Sequence, residues 1–317
     1  MPKPFIEVPD HYRIFMQHFK DQSSRRSFFK QATGALIGLT ATSAIARAAE
    51  FGIQSAGYSL PIGVCSTYDK VDLLKKLGFD FIEESVPGFL LPEAGDAQYA
   101  KNLRALREEK FPIMSYVYFL PGKLKSVGPD VQQEPILERA ELAFKRSREC
   151  GTKNIVYGSG GSRGIPDGFD REKAKTQHID LCRKLAPLAE KYQVALAIEP
   201  LNRGETNFIN SLAEGVEIIE AVNSPWVRLQ CDIYHMLKEN ESADEILKYG
   251  QYISHCHIAE KRKRTVPGVD GDDFRPYFRA LKKMKYKGGM SLECNWKDFD
   301  REVAQGIEVV KKQLSEV

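Results

Sequence analysis

The chain has 317 residues, 42% hydrophobic, 28% charged and 10% aromatic, with a formal net charge of +3. That is globular composition, long enough for one large or two medium domains, and 24 Gly with 16 Pro exclude collagen-like and low-complexity chains. No apolar stretch reaches the ~18 residues of a membrane-spanning helix, and the six cysteines form no CxxC pair, which argues against a disulfide scaffold or a zinc ribbon.

The chain opens on an address label. Ser24-Arg25-Arg26-Ser27-Phe28-Phe29-Lys30 reads as a twin-arginine export motif. A mildly apolar run from Ala32 to Ile45 follows, and then Ala46-Arg47-Ala48, a small-x-small cleavage site. Residues 1–48 are therefore expected to be a twin-arginine signal peptide, and 49–317 a domain exported folded to the periplasm by the twin-arginine translocase. The apolar run is too short and too rich in Gly and Thr for a stable membrane anchor. The leader carries seven Lys/Arg and three Asp/Glu; removing it from the chain's 46 and 43 leaves 39 basic and 40 acidic residues, a net −1. Such a chain has no global attraction to nucleic acid or anionic lipid.

The remaining 269 residues match the ~250 of a single eight-fold β/α barrel. Short apolar runs predict strands at 61–66, 80–84, 113–119, 154–158, 194–199, 227–232, 252–258 and 289–294. Val194 to Ile198 is continuously apolar, as parallel strands buried on both faces require. Helical stripes run between them: Ile179, Leu181, Leu185, Leu188 and Tyr192; Leu212, Val216, Ile219 and Val222; Phe299, Val303, Ile307, Val310 and Leu314. Eight strand–helix repeats favour a closed (β/α)8 TIM barrel, and no GxGxxG follows the first strand to suggest a dinucleotide site. Gly158 to Ser162 lacks a P-loop lysine and reads as a βα loop over the barrel mouth.

Barrel chemistry sits at the carboxyl ends of the strands. Strand five ends in Glu199, six in Asp232, seven in His257 and eight in Glu293, each about one βα unit from the last. Four consecutive strands thus bring one ligand-type residue each to the same rim. If Asp232, His257 and Glu293 face inward, then so do Gln230, His255 and Ser291, while Leu229, Cys231, Cys256, Leu292 and Cys294 face the helices. One assignment sorts polar from apolar residues. Oxygen-rich, single-histidine coordination suits one divalent ion, Mn²⁺ first, with Mg²⁺ or Co²⁺ as alternatives. Glu83 and Glu84 end strand two, where one of them is a candidate to face the pocket.

Glu199-Pro-Leu-Asn-Arg-Gly-Glu205-Thr-Asn-Phe, Asp232-Ile-Tyr-His235-Met, His255-Cys-His257 and Pro267-Gly268 before Leu292-Glu293 together resemble the xylose-isomerase-like sugar isomerase and epimerase superfamily. Within it they look most like ketose 3-epimerases of the D-tagatose 3-epimerase type. The resemblance implies that Glu199, Asp232, His257 and Glu293 are metal ligands, and that Glu199 and Glu293 double as the acid/base pair. It implies that Glu205, His235 and an arginine before Pro-Gly contact substrate hydroxyls, and that the chain self-associates. The family's E-x-N-R-x-x-P-G loop is here Glu260-Lys-Arg-Lys-Arg264-Thr-Val-Pro-Gly, one residue longer and without the Asn. Arg264 aligns from the Pro-Gly side, with Arg262 as the alternative.

The expected chemistry is C3 epimerisation of a free ketose through an enediolate, since a divalent ion acidifies carbon next to a carbonyl and two carboxylates move the proton between faces. The alternative is an exported lyase or hydratase acting on 3-keto-glycosides by the same enolisation; a third reading is a non-catalytic sugar-binding protein. Outside the leader four histidines remain, too few for the trinuclear zinc centre of an endonuclease IV-type nuclease. Phe111, Tyr116, Tyr118 and Phe119 are expected in the core, with one of them lining the sugar site.

Overall fold

Alternating apolar and amphipathic segments become alternating strands and helices in the computed structural model, which describes residues 58–317. The predicted leader and its cleavage point at 48 lie outside the described residues. The strands are β1 (Ile62–Cys65), β2 (Phe81–Ser85), β3 (Ile113–Val117), β4 (Asn154–Tyr157), β5 (Ala195–Ile198), β6 (Val227–Asp232), β7 (Ile253–Ile258) and β8 (Met290–Leu292). All pair in parallel in chain order, and β8 returns to β1 to close the barrel. Closure removes both sheet edges and puts every strand's carboxyl end on one rim.

Between the strands run α1 (Val71–Leu77), α2 (Asp96–Glu109), α3 (Gln133–Glu149), α4 (Gly160–Arg163), α5 (Arg171–Tyr192), α6 (Leu212–Val222), α7 (Ile233–Glu239), α8 (Asp244–Tyr249), α9 (Arg275–Lys283) and α10 (Phe299–Ser315). None of these helices is long and apolar enough to cross a membrane. Local chemistry starts them: Asp170 accepts the Lys173 N–H at 2.7 Å to cap α5, and Ser211 accepts the Glu214 N–H at 3.1 Å to cap α6. The apolar stripe of α6, Leu212, Val216, Ile219 and Val222, is buried as its spacing predicts. In α5 the buried face is rotated from the predicted one. It runs through Ala174, His178, Leu181, Cys182, Leu185 and Ala189, and leaves Ile179, Leu188 and Tyr192 half-buried. Small residues let this helix lie close to the sheet, so its larger apolar side chains sit at the flanks. Gly158 to Ser162 is likewise not all loop, because α4 is one helical turn within it.

Below the rim the barrel is filled by a polar layer, with Glu83, Ser115, Gln230, His255 and Ser291 fully or almost fully buried. The Phe81 ring fills the barrel beneath it and is admitted by glycine: a Cβ on Gly63 would stand 2.1 Å from that ring, and one on Gly289 2.7 Å. Outside the barrel, Gly306 lets α10 lie against β8, since a Cβ there would meet Val266 at 2.5 Å and Leu292 at 2.6 Å. Gly306→Val is expected to cost about 1–3 kcal/mol by overpacking this contact, read as a lowered urea midpoint.

Candidate active site

Four side chains predicted at strand ends converge on one spot. One ligand atom each from Glu199, Asp232, His257 and Glu293 lies within 4.8 Å of the others. Asp232 and His257 are register partners on β6 and β7. Glu199 and Glu293 fall just beyond the ends of β5 and β8, which are shorter than the apolar runs predict. His257 Nδ1 lies 3.0 Å from Glu199 Oε1 and 2.9 Å from Glu293 Oε2. Its Nε2 lies 3.0 Å from Glu83 Oε2.

Two members, Asp232 and Glu199, are held by their backbone surroundings. Asp232 ends β6 and caps α7, its Oδ1 accepting the Tyr234 N–H at 2.8 Å. Its Oδ2 is thereby turned toward the cluster. Glu199 is placed by Arg163, a wholly buried arginine hidden in the glycine-rich segment, which donates to the carbonyls of Tyr157 at 2.8 Å and Glu199 at 2.5 Å. The Glu199 carboxylate then lies where a side chain on residue 158 would be: a Cβ on Gly158 would stand 2.3 Å from Glu199 Oε2.

The residues expected to touch substrate ring this cluster. Arg264 Nη2 reaches Glu293 and, at 3.2 Å, Asp232 Oδ2; its Nη1 lies 3.5 Å from Glu205. The guanidinium stacks on Tyr234, 4.6 Å from the ring centre. Arg262 instead pairs with Asp270 on the surface. The loop carries two consecutive left-handed residues, Lys263 (φ 58°) and Arg264 (φ 55°). Buried Glu260 ties the loop down by accepting the N–H groups of Gly268 at 2.7 Å and Gly271 at 3.0 Å. His235 is buried on α7, and its Nδ1 accepts the Asn202 N–H at 3.0 Å. The proton therefore sits on Nε2, which has no hydrogen-bond partner and lies 3.4 Å from Asp232 Oδ2. Asn202 also donates to Glu205 at 2.9 Å.

Charge is unevenly balanced here. Burial pushes Asp232 up to about 7 against the pull of Arg264, and it raises Glu199 as well. Burial would raise Glu293 too, but Arg264 and His257 hold it down at about 2. Burial would lower His257, yet Glu83 and Glu293 keep it well above its ordinary value. His235 lies well below its own, through burial and then Arg264, and stays neutral. Three carboxylates and one imidazole, with a single guanidinium to offset them, form a donor set that fits a hard divalent cation.

A cavity of about 750 Å³ opens on the cluster, lined by Glu199, Glu293, Arg264 and Tyr234 and also by Lys123 and Arg139. Tyr118 also lines it. It is the one of the four aromatics that does, 62% exposed and left-handed (φ 59°), whereas Phe111, Tyr116 and Phe119 are buried as expected. Residues 158–161 line the same cavity. The contributions of Gly158, Arg163 and Tyr234 carry no motif signal, and that of Glu83 shows only as an acid at an inward position of a buried strand. Gly158→Ala is expected to displace the Glu199 carboxylate and weaken Mn²⁺ binding about tenfold, read by titrating free Mn²⁺ with electron paramagnetic resonance.

Residues 71–313 match the family model described as a xylose isomerase-like TIM barrel. A probable ketose 3-epimerase from Synechocystis is 28% identical over 73% of this chain and 79% of its own length. A D-psicose 3-epimerase from Enterocloster bolteae is 30% identical over 70% and 75%. The crystal structure of D-psicose 3-epimerase with D-tagatose from Clostridium cellulolyticum covers 81% of this chain and all of its own, at 22% identity and a TM-score of 0.72. The closed eight-stranded barrel, its convergent rim and these matches agree: the chain belongs to the xylose isomerase-like TIM-barrel family and is an enzyme of the isomerase and epimerase kind.

Proposed function

We propose that this enzyme inverts C3 of a free ketose by moving a proton between Glu199 and Glu293. The observation that supports the reading is that both carboxylates come within 3.0 Å of His257 Nδ1, in environments that set their proton affinities apart. Glu199, Asp232, His257 and Glu293 would hold one divalent ion, which when bound supplies the positive charge that stabilises an enediolate. Mn²⁺, Mg²⁺ and Co²⁺ all suit such a set.

In one direction Glu293, kept ionised by Arg264, takes the C3 proton, and the C–H electron pair becomes the C2–C3 double bond of the enediolate. Glu199, whose proton affinity burial raises, returns a proton to the opposite face. The reverse direction exchanges the roles. Glu205 and Arg264, which line the cavity, and His235 beside Asp232 would orient sugar hydroxyls in this reading. Glu199→Gln and Glu293→Gln are each expected to slow solvent deuterium entry at C3 by about 10²–10⁴-fold, followed by NMR in D₂O. Undiminished exchange in both variants would remove the pair from this role.

The volume of the cavity favours a second reading. Its volume lies in the ~300–1,000 Å³ range of pockets that enclose drug-sized ligands, above what one hexose fills. A 3-keto-glycoside would use the rim for the same proton abstraction and place its aglycone toward Lys123 and Arg139. Release of free aglycone, instead of an epimer, would identify this lyase or hydratase activity.

We further propose export. Arg25 and Arg26 with the cleavage site at 46–48 support recognition by the twin-arginine translocase and residence in the periplasm. Replacing both arginines by lysine is expected to keep the full-length precursor in the cytoplasm, as read by cell fractionation. Self-association, implied by the family resemblance, belongs to the same proposal.

A further inference from the structure

His257 meets carboxylates on both ring nitrogens, and two donor sets compete for it. Nδ1 faces the rim set of Glu199, Asp232 and Glu293. Nε2 lies 3.0 Å from Glu83 Oε2, and Glu83 belongs with Cys65 and His257 to a second set whose ligand atoms lie within 4.8 Å of one another. An imidazole that gives one nitrogen's lone pair to a metal keeps its proton on the other, so whichever group accepts the proton decides which side the ion takes.

The deeper carboxylate is built to accept. Glu83 is fully buried on β2, and one oxygen, Oε2, lies 3.0 Å from His257 Nε2 and 2.9 Å from His255 Nε2. His255 Nε2 also lies 3.1 Å from Ser291 Oγ. A carboxylate has no proton to give when ionised, so both contacts require N–H on the histidines. The barrel register puts Glu83 beside Cys65 on one side and Ser115 on the other, one layer under the rim, and water cannot reach it to take its place.

We propose that Glu83 is a positioning residue that holds the His257 proton on Nε2 and thereby commits Nδ1, and the divalent ion, to the rim rather than to Cys65. This rests on the four-donor reading of the rim. It also sets the metal's chemical class, because the rim offers hard oxygen donors whereas the Cys65 side would add a thiolate that favours softer ions.

The test uses the full-length protein, stripped of metal and titrated with Mn²⁺ under electron paramagnetic resonance, and separately with Co²⁺ under absorption spectroscopy. Glu83→Ala is expected to weaken Mn²⁺ binding about 10–100-fold, Glu83→Gln by less because an acceptor oxygen remains, and Cys65→Ser not at all. Wild type with Co²⁺ should show no thiolate-to-metal charge-transfer band. If Glu83→Ala fails to fold, Glu83→Gln carries the test, since it keeps the volume and loses the charge. Mn²⁺ binding by the folded Glu83 variants within about twofold of wild type overturns the proposal. So does a thiolate band in wild type that Cys65→Ser abolishes. Asp232→Asn separates the two readings: if it leaves Mn²⁺ affinity unchanged, the rim site and this proposal fall together. If it weakens binding while Glu83→Ala does not, only the proposal falls.

Discussion

Three carboxylates gathered around one buried imidazole, Glu199 and Asp232 buried and Glu293 half-buried, are the constraint on which the rest of this structure depends. At ~4 Å and an effective dielectric near 20, each pair of like charges repels by about 4 kcal/mol. Arg264 relieves Glu293 and touches Asp232, but its nearest carboxylate contacts do not include Glu199. The consequence is a graded set: Glu293 ionised, Asp232 near 7 and Glu199 raised. A rim so arranged has more carboxylates than cations, the charge pattern of a candidate site for a divalent ion.

The surrounding backbone keeps the repelling groups from separating. Asp232 cannot turn away without uncapping α7. Glu199 is tied through its own carbonyl to Arg163, whose other arm holds the end of β4. Gly158 leaves room for the carboxylate that Arg163 positions. Two left-handed residues bring Arg264 back over Tyr234, and Glu260 clamps the loop that carries it. Each is a small cost in strain or desolvation that holds charges in contact.

Beneath the rim the same logic continues one layer down. A barrel this size is filled with side chains, and here much of that filling is polar: Glu83, His255, Ser291 and Gln230 occupy space that aliphatic residues commonly take. Such a layer is worth its desolvation when it orients the groups above it. The Glu83–His257–Nδ1 axis links the fold's interior directly to the centre that the cavity exposes.

What the sequence by itself determined is what depends on local order. Strand and helix positions, the barrel class and the four strand-end residues follow from apolar periodicity and from one ligand per βα unit. The E-P-L-N-R and D-x-x-H-M segments add the family. The tertiary structure decided everything that needs the ring to be closed. Glu83 meets His257 from 174 residues away, Arg264 rather than Arg262 reaches the rim, Tyr118 faces the cavity, and Gly158 makes way for Glu199. Periodicity says which face a residue takes; which atom it meets across a barrel is set by register, loop length and the shape of the neighbours, and those exist only once eight strands have paired.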